Sequence, residues 1–310
     1  MKRRSFRHLV NPLGRGGFSL PQALLLVLLA AIAFTACRGG SGSGSGPDSI
    51  TVFCGAANKP AMEEIAAMFE RDRNIEVNLT FGGSGTLLSQ IELSKKGEIY
   101  VPGSPDYIII GEKKNLLIKG SDRLVAYLVP AIITPAGNPA GIESLEDLAA
   151  DGVRVAIGNP ETVCLGLYGV ELLEKNGLLE SVMNNVVTFG GSCSKLANLA
   201  AMDQVDAILG WRVFHLWNPE RMAYVPIAPE KIPRLSYVPI AIPVYTRDMD
   251  LSRSFIDYVL SPKGKEVYEK LGYITDLDKA KKFAPGAGIG GVYKLPDAYF
   301  IAIKKAGKWK

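Results

Sequence analysis

TFGGSGTLLSQ (residues 80–90) and TFGGSCSKLAN (residues 188–198) repeat one Thr-Phe-Gly-Gly-Ser turn in two parts of the chain. Each copy follows a short apolar stretch and leads into a segment with helical spacing, which predicts a strand, a glycine turn and a helix. Similar turns occur in CGAANKP (residues 54–60) and GNPETVCLG (residues 158–166). Helix starts that follow parallel strands lie at one edge of the sheet, where open α/β sheets bind ligands. The four turns predict an α/β fold with two helix starts in each half, facing a shared cleft.

The strand-turn-helix order occurs in two blocks, which predicts two lobes, each a mostly parallel sheet flanked by helices. Two long apolar segments broken by proline, residues 122–139 and 234–248, are where we expect the chain to cross between lobes. The predicted parts are lobe one (residues 48–129 and 241–300), lobe two (residues 130–240) and a Lys-rich tail (residues 301–310).

The beginning of the chain has the composition of an export signal. Five Lys and Arg and no acidic residue precede LLLVLLAAIAF (residues 24–34), which is too short to span a bilayer core of about 30 Å. The small residue Ala36 precedes Cys37, and a Gly-Ser-rich stretch follows. We therefore predict a lipoprotein signal peptide over residues 1–36, a lipid on Cys37 and a flexible tether over residues 37–47. The protein would be exported and anchored to the outer face of the cell membrane.

Two other readings of this beginning stay open. One is a plain secretion signal without lipid. The other is a prepilin-type leader cut after Gly17, although Gln22 stands where such leaders carry an acidic residue.

The net charge gives no indication of a nucleic-acid partner. The whole chain is +4, but its first 36 residues carry five basic residues and no acid, and the remainder carries 30 Lys and Arg against 31 Asp and Glu. The basic balance therefore belongs to the predicted signal peptide.

Three cysteines remain once Cys37 is assigned to the lipid. An odd number in an exported protein allows one disulfide at most, and Cys164 with Cys193 is the favoured pair, although all three thiols could simply be buried. A reactive thiol at Cys54 or Cys193, beside a helix start, is the basis of a thiol-enzyme alternative, but no base is apparent.

Other enzymatic and metal-binding patterns are absent from the sequence after the leader. His215 is the one histidine there, in an apolar context, and no carboxylate cluster has metal-ligand spacing. The serine turns match neither Gly-x-Ser-x-Gly nor a Walker motif. We therefore expect neither an enzyme nor a cofactor.

The repeated serines have a structural and a functional interpretation. Ser84 and Ser192 each follow two glycines and precede a predicted helix, so each could simply cap that helix. The glycines also allow close approach of a ligand, and a helix start offers free N–H groups and partial positive charge. Two such turns, one in each lobe, would suit a small anion held between them.

Four stretches resemble one family. ITVFCGAANKPAMEEIAAMFE, LTFGGSGTLLSQIE, RVAIGNPETVCLGLYGVELLEKNG and FIDYVLSPKGKEVYEKLGY are similar to the molybdate-binding proteins of ABC importers. That family falls within the two-lobed type II periplasmic binding proteins, and the resemblance covers about residues 50–273. It implies a monomer that captures a tetrahedral oxyanion, molybdate or tungstate, as its ligand and delivers it to a membrane permease and ATPase. Sulfate or another small anion, and an anchored anion sensor on the same fold, are the alternatives.

The resemblance also implies ligand-binding positions. Ser84 matches a ligand-binding serine, and Leu165 falls where a backbone N–H is donated, with Cys164 in place of the usual proline before it. Cys193, beside Ser192, falls at the helix start that gives another N–H.

Two positions depart from the family pattern. Ala57 replaces an expected serine, with Asn58 as a substitute donor, and Trp211 stands near an expected tyrosine. Neutral donors favour a fully deprotonated dianion over phosphate, because they offer no acceptor to a bound proton. Glu161, the one acid near a turn, would weaken this argument if it pointed into the cleft.

Overall fold

The computed structural model describes residues 49–308, so the predicted signal peptide, Cys37 and the tether lie outside the described residues. The strands are β1 (Ser49–Gly55), β2 (Glu76–Gly82), β3 (Ile99–Val101), β4 (Arg123–Leu128), β5 (Pro130–Pro135), β6 (Val155–Gly158), β7 (Val186–Gly190), β8 (Ala207–Trp211), β9 (Met222–Val225), β10 (Arg234–Ile240) and β11 (Gly288–Ile289). The helices are α1 (Lys59–Arg73), α2 (Ser84–Ser94), α3 (Asp106–Lys113), α4 (Cys164–Lys175), α5 (Leu179–Asn185), α6 (Cys193–Ala201), α7 (Phe214–Trp217), α8 (Met249–Leu260), α9 (Pro262–Lys270), α10 (Leu277–Lys281) and α11 (Asp297–Lys305).

The first sheet contains the first two predicted turns. β1 lies between β2 and β3, and both pairings are parallel. The register pairs Gly55 with Gly82 at the carboxyl ends of β1 and β2. Because α1 and α2 follow shortly after these glycines, the two helix starts lie side by side, as the sequence predicts.

A five-stranded sheet contains the other two turns. Its order is β7-β6-β8-β5-β9, in which β6 pairs in parallel with β7 and β8. β5 pairs antiparallel with both β8 and β9, so the sheet is mixed. The register pairs Gly158 with Gly190, and α4 and α6 follow these strands. The second pair of helix starts is therefore also adjacent.

The third sheet receives both proline-broken segments. β10 pairs antiparallel with β4 and parallel with β11. β4 ends at Leu128, and β5 begins at Pro130 in the five-stranded sheet, so the chain passes from one sheet to another with only Val129 between. A register shift between Val238 and Pro239 accommodates the proline, which has no N–H for the strand ladder.

The core beneath the first sheet follows from the apolar spacing of the sequence. Ile50, Val52 and Cys54 alternate along β1 and are fully buried. On the facing helix α1, the Phe69 ring packs edge-on against Phe255 and Tyr258 of α8, at centroid distances of 5.0 and 5.2 Å. This contact joins the N-terminal block to the C-terminal helices.

The break between α8 and α9 falls at the Ser-Pro pair of the sequence. Ser261 Oγ accepts a hydrogen bond from the Gly264 N–H at 3.3 Å and so caps α9. Pro262 occupies the first position of α9, where a helix needs no N–H donor.

The last helix of the described residues packs against the rest of the protein. Helix α11 contacts α5 and buries Tyr299, Ala302 and Ile303. The Lys308 ammonium donates to the Asn184 carbonyl at 2.7 Å. Within residues 49–308, no helix combines the length and apolarity needed to cross a membrane.

Candidate functional site

The two Thr-Phe-Gly-Gly-Ser turns meet. The Gly85 N–H donates to the Thr162 carbonyl at 2.9 Å, which links the α2 start to the turn before α4. A Cβ on Gly83 would lie 2.6 Å from the Thr162 oxygen and 3.0 Å from the Gly191 oxygen. Such distances leave no space for a side chain, so the glycine is what allows the turns to touch. The prediction that the repeated turns face each other is confirmed.

A narrow cavity lies where the turns converge. It contains about 170 Å³ of atom-free space and has no room for a water-sized sphere. Its walls come from all four predicted turns and from the loop after β3: Gly55, Ala56, Ala57, Gly82, Gly83, Ser84, Gly103, Val163, Cys164 and Cys193. Four of the predicted site residues, Ala57, Ser84, Cys164 and Cys193, are among them.

Ser84 is oriented as a hydrogen-bond donor to the cavity. Its side chain is buried, and its Oγ accepts a hydrogen bond from the Gly103 N–H at 3.1 Å. Because this bond uses the oxygen as acceptor, the hydroxyl hydrogen is available to donate toward Cys164. The Tyr100 hydroxyl donates a hydrogen bond to the Ser84 carbonyl oxygen at 2.8 Å. Sequence reasoning missed Gly103, whose segment VPGSP shows only a turn signal.

Ser192 has a different role from Ser84. Its Oγ accepts a hydrogen bond from the Lys195 N–H at 3.3 Å, which caps α6. Ser192 is not among the residues that line the cavity. Ser192 therefore acts as a helix cap. Ser84 lies in the cavity wall and makes no capping hydrogen bond.

The favoured disulfide is absent, and the alternative of three buried thiols is the one that the structure shows. Cys54, Cys164 and Cys193 are all free thiols. Cys164 and Cys193 are the first residues of α4 and α6, and both line the cavity. A disulfide needs a sulfur separation of about 2.0 Å, which is much shorter than a hydrogen bond involving sulfur.

The contact between the thiols affects both of their pKa values. The pKa of Cys164 is lowered from its usual 9.0, first by the Cys193 hydrogen bond and then by Ser84 and the Leu165 N–H, against the effect of burial. The pKa of Cys193 is raised well above 9.0 by the same hydrogen bond and by burial. Cys193, Ser84 and the Leu165 N–H therefore all stabilise the deprotonated form of Cys164.

Two departures from the family pattern lie next to the cavity. Trp211 is fully buried and packs edge-on against Tyr168 at 5.2 Å, and its indole lowers the pKa of the neighbouring Cys193. Within residues 49–308, its Nε1–H has no acceptor with hydrogen-bond geometry. Asn58 follows the cavity-lining Ala57, is fully buried, and its amide also lacks partners among the described residues.

Buried polar groups without partners are uncommon in folded proteins. The unpaired Trp211 indole and Asn58 amide beside this cavity are expected if the cavity binds a polar ligand. Glu161 is exposed and lies outside the cavity wall, so the acid does not enter the site.

A buried ionic cluster supports the loop that carries Gly103. The Arg234 guanidinium binds both carboxylate oxygens of Asp106 at 3.1 Å and also contacts Glu171. It lies 3.9 Å from the centroid of the Tyr168 ring. Asp106 begins α3, just after Gly103, whereas Glu171 belongs to α4, so one arginine connects both sides of the site. Sequence reasoning missed this cluster because its members are far apart in the chain.

The described residues contain no group of three or more His, Cys, Asp or Glu side chains that could hold a metal ion. His215 is half-buried, stacks on Tyr224 at 5.4 Å and contacts the Arg212 carbonyl through Nδ1. These contacts account for His215 as a structural residue.

The fold and the meeting of four helix starts define a class, the two-lobed α/β solute-binding proteins. The sulfate-binding protein SubI of Mycobacterium tuberculosis matches this structure with a TM-score of 0.66 and 14% identity, over 83% of this chain and 98% of SubI. At that identity the likeness shows the fold alone.

Sequence comparison gives the family. The family of bacterial extracellular solute-binding proteins matches residues 50–274, and the chain belongs to it. YvgL of Bacillus subtilis, provisionally assigned as an ABC transporter substrate-binding lipoprotein, is 24% identical over 258 residues, 81% of this chain and 98% of YvgL. The molybdate-binding protein ModA of Escherichia coli is 23% identical over 234 residues, 72% of this chain and 88% of ModA. The resemblance to molybdate-binding proteins is confirmed, and the chain is a binding protein rather than an enzyme.

Proposed function

We propose that this protein captures a tetrahedral oxyanion, molybdate or tungstate, and delivers it to the permease and ATPase of an ABC importer. The observation that carries the proposal is the convergence of Ser84, Cys164 and Cys193, with the starts of α2, α4 and α6, on one buried cavity. Helix starts supply N–H donors and a partial positive charge of about half a unit each. The names of ModA and SubI agree with an anion ligand.

The ligand is a dianion that carries no proton. The side chains that line the cavity include no Asp, Glu or His, and Glu161 is exposed. A bound proton on phosphate would therefore lack a side-chain acceptor, and a buried polar group without a partner is costly. This favours molybdate, tungstate or sulfate over phosphate.

Binding proceeds by opening and closing of two lobes. The cavity has no room for a water-sized sphere in this conformation, so its walls must move apart to admit and hold the anion. The bound anion then stabilises a closed form in which these walls surround it, which is a population shift. We propose the predicted lobe boundaries, residues 48–129 with 241–300 and residues 130–240, for this motion, in a protein that acts as a monomer.

The lipid on Cys37 keeps the protein at the outer membrane surface, close to the permease. The lipoprotein assignment of YvgL agrees with this proposal. Membrane fractionation checks it: a Cys37→Ala protein is released in soluble form, and retention at the wild-type level would contradict the anchor.

Calorimetry with a panel of anions tests the function. The protein is titrated with molybdate, tungstate, sulfate, phosphate and thiosulfate in separate experiments. We expect molybdate or tungstate to bind most tightly and phosphate most weakly. Absence of binding for every anion of the panel would contradict the proposal, and a preference for phosphate would contradict the dianion argument.

A further inference from the structure

The two cysteines of the cavity occupy unusual positions for thiols. Cys164 and Cys193 are the first residues of α4 and α6, with 1% and 3% of their surfaces exposed. A Cβ on Gly103 would lie only 2.6 Å from Cys164 Sγ and 3.9 Å from Ser84 Oγ. The Cys164 sulfur therefore packs directly against the wall where an anion would be held.

A sulfur atom lies among the donors of the site. Ser84, Cys164 and Cys193 line the same narrow cavity, and Cys193, Ser84 and the Leu165 N–H all lower the pKa of Cys164. The Trp211 indole N–H lies beside Cys193 and has no acceptor with hydrogen-bond geometry among residues 49–308. The cavity wall therefore presents two sulfur atoms, which are larger and more polarisable than oxygen, beside a hydroxyl group.

Thiols are poor partners for strongly hydrated anions. A thiol is a weak donor, whereas a hydroxyl or amide N–H is a strong one. An anion that leaves water must regain its lost hydrogen bonds in the site, and a compact anion such as sulfate has more to regain than one with diffuse charge. A site with two thiols therefore replaces few of the hydrogen bonds that sulfate loses on leaving water. The polarisable sulfur atoms instead favour soft ligand atoms.

We propose that Cys164 and Cys193 determine the selectivity of this site, and that they favour tetrahedral dianions with a soft terminal atom, such as sulfur, over sulfate. The inference rests on the proposed function, because it concerns the same site. It assigns the discrimination to two side chains that can be changed with little effect on the backbone.

Sulfate and thiosulfate form a suitable pair of probes. Both are dianions with a tetrahedral centre, and thiosulfate carries one terminal sulfur in place of oxygen. Calorimetry of the anaerobic, reduced full-length protein in detergent is expected to show thiosulfate binding about tenfold more tightly than sulfate, a ratio equivalent to about one hydrogen bond.

Substitution distinguishes donor chemistry from cavity size. In Cys164→Ser/Cys193→Ser, hydroxyls replace the thiols, and we expect sulfate to gain affinity until the tenfold ratio is lost. In Cys164→Ala/Cys193→Ala, the cavity is also enlarged but the donors are missing, and we expect both anions to bind more weakly. The single serine variants serve the same purpose if a double variant does not fold.

The outcomes separate this inference from the proposed function. A wild-type protein that prefers sulfate, or a serine variant that keeps the thiosulfate preference, would overturn the role of the thiols while leaving oxyanion binding intact. Failure to bind any anion of the panel would overturn both proposals.

Discussion

Ser84 and Ser192 stand at the same place in the same five-residue turn but do different work. Ser84 Oγ accepts from Gly103 of a distant loop, so its hydroxyl hydrogen can donate to other groups in the cavity. Ser192 Oγ accepts from its own helix and caps it. The role of each serine depends on which backbone N–H donates a hydrogen bond to its hydroxyl oxygen.

Ser84→Ala is expected to weaken binding of the preferred anion by about 1–1.5 kcal/mol, or roughly tenfold in Kd, because one neutral hydrogen bond is lost. Ser192→Ala is the matched control, since it removes a hydroxyl from the same turn outside the cavity wall. It is expected to keep the affinity and to lose about 1 kcal/mol of unfolding free energy as a lost helix cap.

Calorimetry and urea unfolding of both variants check this pair of expectations. Equal losses of affinity in the two variants would mean that both serines act as ligands. No loss in either would mean that Ser84 also has only a structural role.

At the scale of elements, α4 must approach the end of β6 closely. A Cβ on Gly166 would lie 2.4 Å from the Gly158 oxygen and 2.6 Å from the Pro160 nitrogen, both of which are backbone atoms. Backbone cannot move aside as a flexible side chain can. The glycine therefore sets the distance between the first turn of α4 and the turn that precedes it.

Gly166→Ala is expected to lower the unfolding free energy by about 1–3 kcal/mol, because the added methyl group overpacks a buried contact. Gly169→Ala in the same helix is the control, since its Cβ would meet only the Leu209 side chain at an ordinary 3.4 Å. Urea denaturation measures both variants. A Gly166→Ala protein as stable as Gly169→Ala would show that α4 can shift without cost.

For the molecule as a whole, Arg234 links parts of the chain that the site needs to hold together. Asp106 is fully buried, and Arg234 is 5% exposed and contacts both Asp106 and Glu171. The pKa of Glu171 is raised, mainly by burial. Burial lowers the pKa of Arg234, but Tyr168 and then the Asp106 and Glu171 carboxylates raise it above its usual value. Loss of the arginine would leave buried acids without their cation.

Arg234→Gln is expected to lower the unfolding free energy by about 3–5 kcal/mol, the usual effect of breaking a buried ion pair. Arg154→Gln breaks the pair with Asp206, in which the Arg154 side chain is 49% exposed, and is expected to cost about 1 kcal/mol or less. Chemical denaturation compares the two. Similar small losses would mean that water reaches the Arg234 cluster and replaces the arginine.

Much of the fold could be predicted because its signals are local. Apolar spacing along the chain indicates the strands and helices, and glycine-containing turns mark where each helix begins. The helix starts after residues 55, 82, 158 and 190 follow from such patterns. The antiparallel pairing of β5 with β8 and β9 could not be predicted, because strand direction depends on how distant segments pack.

The site could be predicted only in part. Ser84, Ala57, Cys164 and Cys193 were found because they lie in repeated or family-like turns. Gly103 and Arg234 were not, since VPGSP and PRLSY carry no pattern that points to a cavity. The choice between a Cys164–Cys193 disulfide and free buried thiols stayed open, because the number of cysteines does not give the distance between their sulfur atoms.

The sequence by itself determined the order of strands and helices and the four glycine turns, because backbone preferences and apolar periodicity act within a few residues. Only the tertiary structure decided which serine faces the cavity, that two thiols line the same cavity, and that one arginine joins α3 to α4. These features depend on strand register and on contacts between residues that are more than a hundred positions apart in some cases, as for Asp106 and Arg234. Such contacts form when separate elements pack, and no local stretch of the chain encodes them alone.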